Sequence, residues 1–218
     1  MFSSSAFYFV ISIVISFFIG ILFYYVMKEG TRKEIRQQID EVVSQLINFV
    51  IYIWIGKIVL KFTTFINDPL AVLAYPSDST AFYFATICIL LHILIKYRNK
   101  QNISALFNTF LPIFLVSHFT YEFIQTVVME MKPNWSLLTF YPILIILFMI
   151  LQDKITEVRL QRTIFLLLLT GHLLMALYSN TYIFGYSLGA NYFVGMFIFM
   201  FFIIVYSNKK LSITKKLI

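Results

Sequence analysis

The chain has 218 residues, of which 60% are hydrophobic and only 12% are charged. Soluble domains average about 25% charged residues, so this composition excludes an ordinary soluble domain and predicts a polytopic membrane protein. The single cysteine, Cys88, excludes a disulfide within the chain and a metal cage built from cysteines.

Apolar residues are grouped into seven segments along the chain. They cover approximately residues 6–27, 42–66, 80–95, 105–127, 135–151, 163–178 and 191–206. Each is close to the ~20 residues that span about 30 Å of hydrocarbon as a helix, although the third, sixth and seventh need flanking residues. We therefore predict an all-α fold, a polytopic membrane bundle of seven transmembrane helices. Because the start, MFSSSAFYF, lacks the basic region of a secretory signal, the first segment is expected to stay in the mature protein.

The basic residues alternate between the connecting loops. Fourteen of the seventeen Lys and Arg residues lie in KEGTRKEIRQQIDE, KYRNKQNIS, QDKITEVRLQR and the tail SNKKLSITKKLI. Basic loops remain in the cytoplasm, so we predict that the N-terminus lies outside and the C-terminus is cytoplasmic. The net charge of +7 then reflects topology and contact with anionic lipid, and we expect no nucleic-acid partner.

Two loops on the predicted outer side are poor in charge, near residues 67–80 and 179–190. The first contains two prolines, and its Asp68–Pro69 pair favours a turn. The second is rich in tyrosine and glycine. We expect both to lie at the outer surface of a single transmembrane domain that covers residues 1–218.

Six ionisable residues fall inside the apolar segments, where they normally face the bundle interior or an interface. His118 and Glu122 lie four residues apart, on one face of a helix and in its predicted outer half. Lys57 lies in the outer part of the second segment, so Lys57, His118 and Glu122 are candidates for a polar cavity that opens outward. In the alternative interpretation, the lysines and Glu122 simply extend to the interface. Lys61, His92 and His172 are secondary candidates.

The candidate residues match no metal or cofactor motif. His118 and Glu122 supply two ligands at helical spacing, whereas a tight site needs three or four, and no His-Glu-x-x-His motif is present. We predict no metal, no cofactor and no identifiable catalytic residue. His92 and His172 are expected to be packing groups or partners in hydrogen bonds between helices.

The order of several stretches resembles prolipoprotein diacylglyceryl transferase, a bacterial membrane enzyme family. These stretches are MKEGTRKEIRQQIDEVV, IGKIVLKF, INDPLAVLAY and IKYRNKQNISALF. The resemblance implies seven membrane helices, an outer N-terminus and a cytoplasmic C-terminus. It also implies that Lys57, after Gly56, stands at the basic position of the family's second helix.

The signatures that carry catalysis in that family are missing. PSDSTAFYFAT stands where the family has His-Gly-Gly, LVSHFTYEF stands where it has Gly-Arg-x-Gly-Asn, and TGHLLMALYSNTYIFGYS has no arginine. Fixed cations, best supplied by bidentate arginine, are needed to hold a phosphatidylglycerol headgroup. His118 and Glu122 are therefore interpreted as lining a repurposed cavity, in which the glutamate favours a cation over a phosphate.

Three functions follow from these observations. The first is a non-catalytic protein of the bacterial plasma membrane that binds membrane lipids or a membrane or lipoprotein partner. The second is a transferase acting on lipids or lipoproteins through His118 and Glu122. The third is a small-molecule or cation permease subunit, against which stands the lack of an internal repeat. Enzymatic activity is left open, with a preference for none.

Overall fold

The structure, a computed structural model, describes residues 4–74, 78–97, 100–178 and 181–201. Helices dominate this part of the chain, with one small antiparallel hairpin near its end. The helices are α1 (Ser4–Met27), α2 (Arg32–Leu60), α3 (Phe62–Asn67), α4 (Pro69–Ala74), α5 (Ser79–Lys96), α6 (Lys100–Val127), α7 (Trp135–Leu151), α8 (Glu157–Tyr178) and α9 (Ala190–Phe201). The strands are β1 (Thr181–Ile183) and β2 (Tyr186–Leu188).

Five helices are long and apolar enough to cross a membrane: α1, α2, α5, α6 and α8. Two more, α7 and α9, are apolar but shorter within the described residues. The predicted class, a helical membrane protein, is supported by these five helices. The predicted number of seven spans and the orientation of the termini remain predictions. The last few residues of the seventh apolar segment, beyond residue 201, lie outside the described part.

The ends of the helices follow local sequence signals. Thr31 caps α2 in a capping box with Glu34, in which each side chain bonds the backbone N–H of the other residue. Asp78 caps α5 by accepting from the Ala81 N–H at 3.1 Å. Asn134 caps α7 in the same way. These caps satisfy backbone donors that have no partner within the helix.

Helix α6 packs against α1, α2, α7 and α8. Small residues let the backbones approach. A Cβ added at Gly20 of α1 would lie 2.2 Å from Ser117 Oγ and 2.6 Å from the Ile113 carbonyl of α6. On the other side, Gly56 of α2 lies against Phe84 of α5. Close approach at small residues is typical of helix pairs in membranes, where packing replaces the hydrophobic effect.

A polar cluster joins the helices near the start of α6. The Tyr24 hydroxyl of α1 donates to Gln38 Oε1 of α2 at 2.6 Å and lies 3.1 Å from Thr109 Oγ1 of α6. Gln45 donates to the Tyr97 hydroxyl at 3.1 Å. The bonds of Tyr24 connect α1, α2 and α6, and the bond of Gln45 connects α2 to the residue that follows α5.

The hairpin forms the second predicted outer loop, of which residues 179–180 lie outside the described part. Ile183 pairs with Tyr186, so Phe184 and Gly185 form a two-residue turn, with φ of 46° and 79°. Positive φ at both turn positions is typical of type I′ hairpins. Ile183, Phe184 and Leu188 are buried in the same apolar cluster as residues of α2, α5, α6 and α8. The apolar side of this loop packs against the bundle, and its place at the outer surface of the membrane domain stays a prediction.

The first predicted outer loop contains the short helix α4, whose Val72 is buried. Residues 75–77 of that loop lie outside the described part. The hairpin lies at the same end of the bundle as the C-terminal part of α6. We call this end the hairpin end.

Candidate functional site

His118 and Glu122 lie on α6 at the hairpin end, and both are buried. Helical spacing places them one turn apart on the same face. His118 is 0% exposed and Glu122 is 7% exposed. Buried ionisable side chains in a membrane helix normally face the bundle interior and mark a functional region.

Aromatic rings surround His118. Its ring is stacked on that of Tyr141 of α7, with centroids 4.2 Å apart and planes 6° from parallel. The Phe184 ring lies 4.9 Å away on the hairpin side. The Phe184 N–H donates to His118 Nε2 at 3.4 Å. The other ring nitrogen, Nδ1, is buried and has no hydrogen-bond partner among the described residues.

His172 of α8 connects α7 with the hairpin. The Tyr141 hydroxyl lies 2.8 Å from His172 Nε2, and Thr181 Oγ1 lies 2.9 Å from His172 Nδ1. A neutral imidazole satisfies both bonds by accepting at one nitrogen and donating at the other. The ring also stacks on Phe193 of α9, with centroids 5.2 Å apart. The interhelical hydrogen bond expected of His172 is therefore present.

Phe184, at the tip of the hairpin, occupies a pocket of rings that we call the Phe184 seat, made of Phe17, Phe114, His118 and Tyr121. The centroid distances from Phe184 are 4.9 Å to Phe17, 5.8 Å to Phe114, 4.9 Å to His118 and 5.5 Å to Tyr121. The seat combines residues of α1 and α6, so the hairpin tip holds these two helices together.

Glu122 lies next to the seat without a counter-charge. Glu122 forms no hydrogen bond or ion pair with any of the described residues. It is close enough to Tyr121 and Tyr141 for its charge to act on both phenols. A buried carboxylate is costly unless it is paired or neutralised. A carboxyl group in this position is therefore either protonated or balanced by a bound cation.

Lys57 was predicted to join His118 and Glu122 in one cavity. It is buried on α2, next to Gly56, and the charges that act on it include those of Lys61 and Asp78. Its participation in the cavity stays a prediction.

Lys61 forms an ion pair with Asp78 at 3.6 Å. Burial acts to raise the pKa of Asp78, but hydrogen bonds from Thr80 and the Ala81 N–H, together with Lys61, outweigh it. The pKa of Asp78 consequently lies below its ordinary value. This pair ties the end of α2 to the start of α5.

His92 lies apart from the His118 group, on α5. Its Nδ1 is 2.8 Å from the Tyr52 hydroxyl of α2, and its Nε2 has no hydrogen-bond partner among the described residues. His92 therefore joins α2 to α5. No group of three or more His, Cys, Asp or Glu side chains in the described part is arranged to hold a metal ion.

Comparisons with known proteins give no relative for this chain. No family model matches it, and neither the curated proteins nor the solved structures contain a significant match. The resemblance to the diacylglyceryl transferases consequently rests on the residues quoted above.

Tyr141, Thr181 and Phe184 were not among the residues predicted to form the site. A usable signal was present in TYIFGYSL, where two short β-prone runs flank a Phe-Gly pair. For Tyr141, inside an uninterrupted apolar segment, the sequence contains no comparable signal.

Proposed function

We propose that the protein is a seven-helix integral protein of the bacterial plasma membrane, with its N-terminus outside, that binds a membrane lipid. The five long apolar helices and the shorter α7 and α9 support the membrane location. The alternation of basic loops supports the orientation. In this orientation the hairpin end faces outward.

The observation that carries lipid binding is the burial of His118 and Glu122 inside a membrane helix at the hairpin end. Such polar groups are costly at this depth, so their presence favours a polar molecule that meets them within the bilayer. A lipid combines a polar headgroup with acyl chains that fit the exposed apolar faces of the helices. Those faces include Phe18 of α1 and Trp54 of α2.

Diacylglyceryl transfer receives no support from the geometry of the site. The described hydrogen bonds and ion pairs bring neither arginine nor lysine to His118 or Glu122. A phosphatidylglycerol donor would meet a carboxylate at the place where a cation is required. We therefore propose a transferase-like organisation of helices without transferase activity.

Native mass spectrometry of the purified protein tests lipid binding. We expect a lipid to remain bound to the wild type and its occupancy to fall in the double variant His118→Ala/Glu122→Gln. A matched control is His92→Ala, which removes a histidine outside the site. Equal lipid occupancy in all three proteins, or a bound protein partner in place of lipid, would contradict the proposal.

A transfer assay with a lipobox peptide and phosphatidylglycerol tests the absence of catalysis. We expect no transfer by the wild type above a protein-free control. Transfer by the wild type that is lost in His118→Ala and in Glu122→Ala would establish the enzyme alternative instead.

A further inference from the structure

The Phe184 seat has the composition of a site for an organic cation. Aromatic rings attract ammonium groups through their electron-rich faces, and cages of several rings are used to recognise them. Phe17, Phe114 and Tyr121 supply three such rings around one point, each within 6 Å of the Phe184 centroid.

Two polar groups lie beside these rings. Glu122, buried on the turn after His118, has no cationic partner in the described part of the chain. His118 forms one wall of the seat. Because its Nε2 accepts from the Phe184 N–H, a neutral ring carries its proton on the fully buried Nδ1, which donates to none of the described residues. An ammonium group supplies the positive charge that Glu122 lacks, whereas a phosphate would add a second negative charge beside it.

The residue that fills the seat is held in an unfavourable conformation. Phe184 has a φ of 46°, which bulky side chains rarely adopt. The type I′ turn of the hairpin imposes this positive φ, and a bulky side chain adopts it only at a conformational cost. Here it lowers the net stability of the Phe184 ring in the seat, so that a ligand competes with it more readily.

We propose that the Phe184 seat, together with Glu122, binds the ammonium group of an organic cation, and that the Phe184 ring competes with the ligand for this site. The inference rests on the proposed function and names its ligand class. The ammonium belongs either to the headgroup of a zwitterionic lipid or to a free amine, since both present the same chemistry to the seat.

Calorimetric titration with ethanolamine tests the site in full-length protein held in nanodiscs of phosphatidylglycerol alone. We expect saturable binding of ethanolamine and none of ethylene glycol, which is similar in size but uncharged. Glu122→Gln should weaken binding by about tenfold or more, because a desolvated cation loses its counter-charge. The control Glu130→Gln, at an exposed carboxylate after α6, should leave binding unchanged.

Variants of Phe184 test the competition. Phe184→Ala should bind ethanolamine several-fold more tightly than the wild type. Phe184→Leu, which keeps an apolar side chain for folding, should do the same to a smaller extent. Wild-type affinity in a folded Phe184 variant, or in Glu122→Gln, would overturn the proposal.

Lipid composition separates the two sources of the ammonium group. Phosphatidylethanolamine added to the nanodiscs should displace ethanolamine if the ligand is a lipid headgroup, and unchanged ethanolamine binding would assign the seat to a free amine. If the protein retains only lipids that lack an amine and binds no ethanolamine, this inference is overturned. The proposal of lipid binding would then still stand. Absence of both lipid and ethanolamine binding would overturn the two proposals together.

Discussion

Tyr141 connects the two buried histidines through different parts of its side chain. Its ring lies flat on His118, and its hydroxyl bonds His172, which in turn bonds Thr181 of the hairpin. Because every member of this chain is buried, the loss of one hydrogen bond leaves a polar atom without a partner. Tyr141 thus couples the packing of α6 and α7 to the docking of the hairpin.

Tyr141→Phe removes only the hydroxyl and keeps the stacked ring. We expect it to lower the free energy of unfolding by about 1 kcal/mol, the usual scale of hydrogen bonds between membrane helices. The measurement is denaturant unfolding in detergent micelles, with Tyr178→Phe, at a side chain that is 91% exposed, as the control. Equal stability of the two variants would show that the hydroxyl does not contribute.

Asp78 gives a prediction about pH. Its pKa is lowered in the folded protein, so its stabilising contribution is present above the ordinary carboxyl pKa and is lost as pH falls. Asp78→Ala should cost about 1 kcal/mol at pH 7, because a helix cap is removed.

At pH 3 the difference in stability between the wild type and Asp78→Ala should shrink. The check is a pair of unfolding curves for both proteins at the two pH values, with Asp153→Ala as a control in the loop after α7. A difference that is equal at pH 3 and pH 7 would contradict a contribution from the charged carboxylate.

Sequence alone predicted that His118 and Glu122 share one buried helix face, because helical spacing and the cost of polar groups in lipid are local arguments. It did not predict their neighbours. Tyr141 and Thr181 belong to other elements, α7 and β1. Their contacts with His118 and His172 depend on how the helices and the hairpin pack together. An apolar run such as TFYPILII does not show which of its side chains faces a histidine.

At the scale of elements, the hairpin depends on its glycine. Gly185 has a φ of 79°, and a Cβ there would lie 2.6 Å from the Phe9 ring and 2.8 Å from the Tyr121 hydroxyl. Gly185→Ala should therefore displace the hairpin tip from the Phe184 seat.

Hydrogen exchange of the hairpin amides measures this displacement. We expect faster exchange at Ile183 and Tyr186 in Gly185→Ala. In the control Gly189→Ala, the nearest atom to the new Cβ is 3.9 Å away, so exchange should match the wild type. Unchanged protection in Gly185→Ala would argue against tight seating.

The contact between α1 and α6 gives a second prediction for elements. Gly20→Ala places a methyl group against Ser117 Oγ and the Ile113 carbonyl, so the helices must separate. A loss of about 1–3 kcal/mol in stability is expected from such overpacking. Gly195→Ala in α9, with no atom within 4 Å, is the control for the change in residue type. A thermal unfolding series in which both variants behave alike would contradict close packing of α1 on α6.

The helices themselves were largely predictable, because long apolar runs and their caps are sequence-local. The segment predicted at residues 135–151 coincides with α7, and the segment predicted at 105–127 lies within α6. The sequence did not predict that the outer loop near residues 179–190 packs its apolar side against the bundle. The hairpin is buried through Ile183, Phe184 and Leu188. Its strands are only three residues long, so their alternation of apolar and polar residues is too short to predict which side is buried.

For the whole molecule, the distribution of basic loops predicts the orientation in the membrane. In a Cys88→Ser background, Met131→Cys should react with a membrane-impermeant maleimide in intact cells, because the loop after α6 is predicted to lie outside. Asp153→Cys, in the loop after α7, should react only after the membrane is permeabilised. The reverse pattern would invert the orientation and place the hairpin end in the cytoplasm.

The described part of the molecule has apolar side chains on the outside of its helices and a buried cluster of polar and aromatic side chains at the hairpin end. Its long helices expose many large apolar side chains, and buried polar residues connect α6, α7, α8 and the hairpin. This separation favours a ligand that reaches the centre from the bilayer at the hairpin end.

The most direct test of lipid binding uses a phospholipid with a photoactivatable headgroup, reconstituted with the full-length protein and mapped by mass spectrometry of the cross-linked peptides. We expect cross-links to residues 114–122 of α6 and to residues 181–188 of the hairpin, and their loss in Glu122→Gln. Cross-links confined to lipid-facing positions such as Phe18 and Trp54 would contradict a binding site in the bundle.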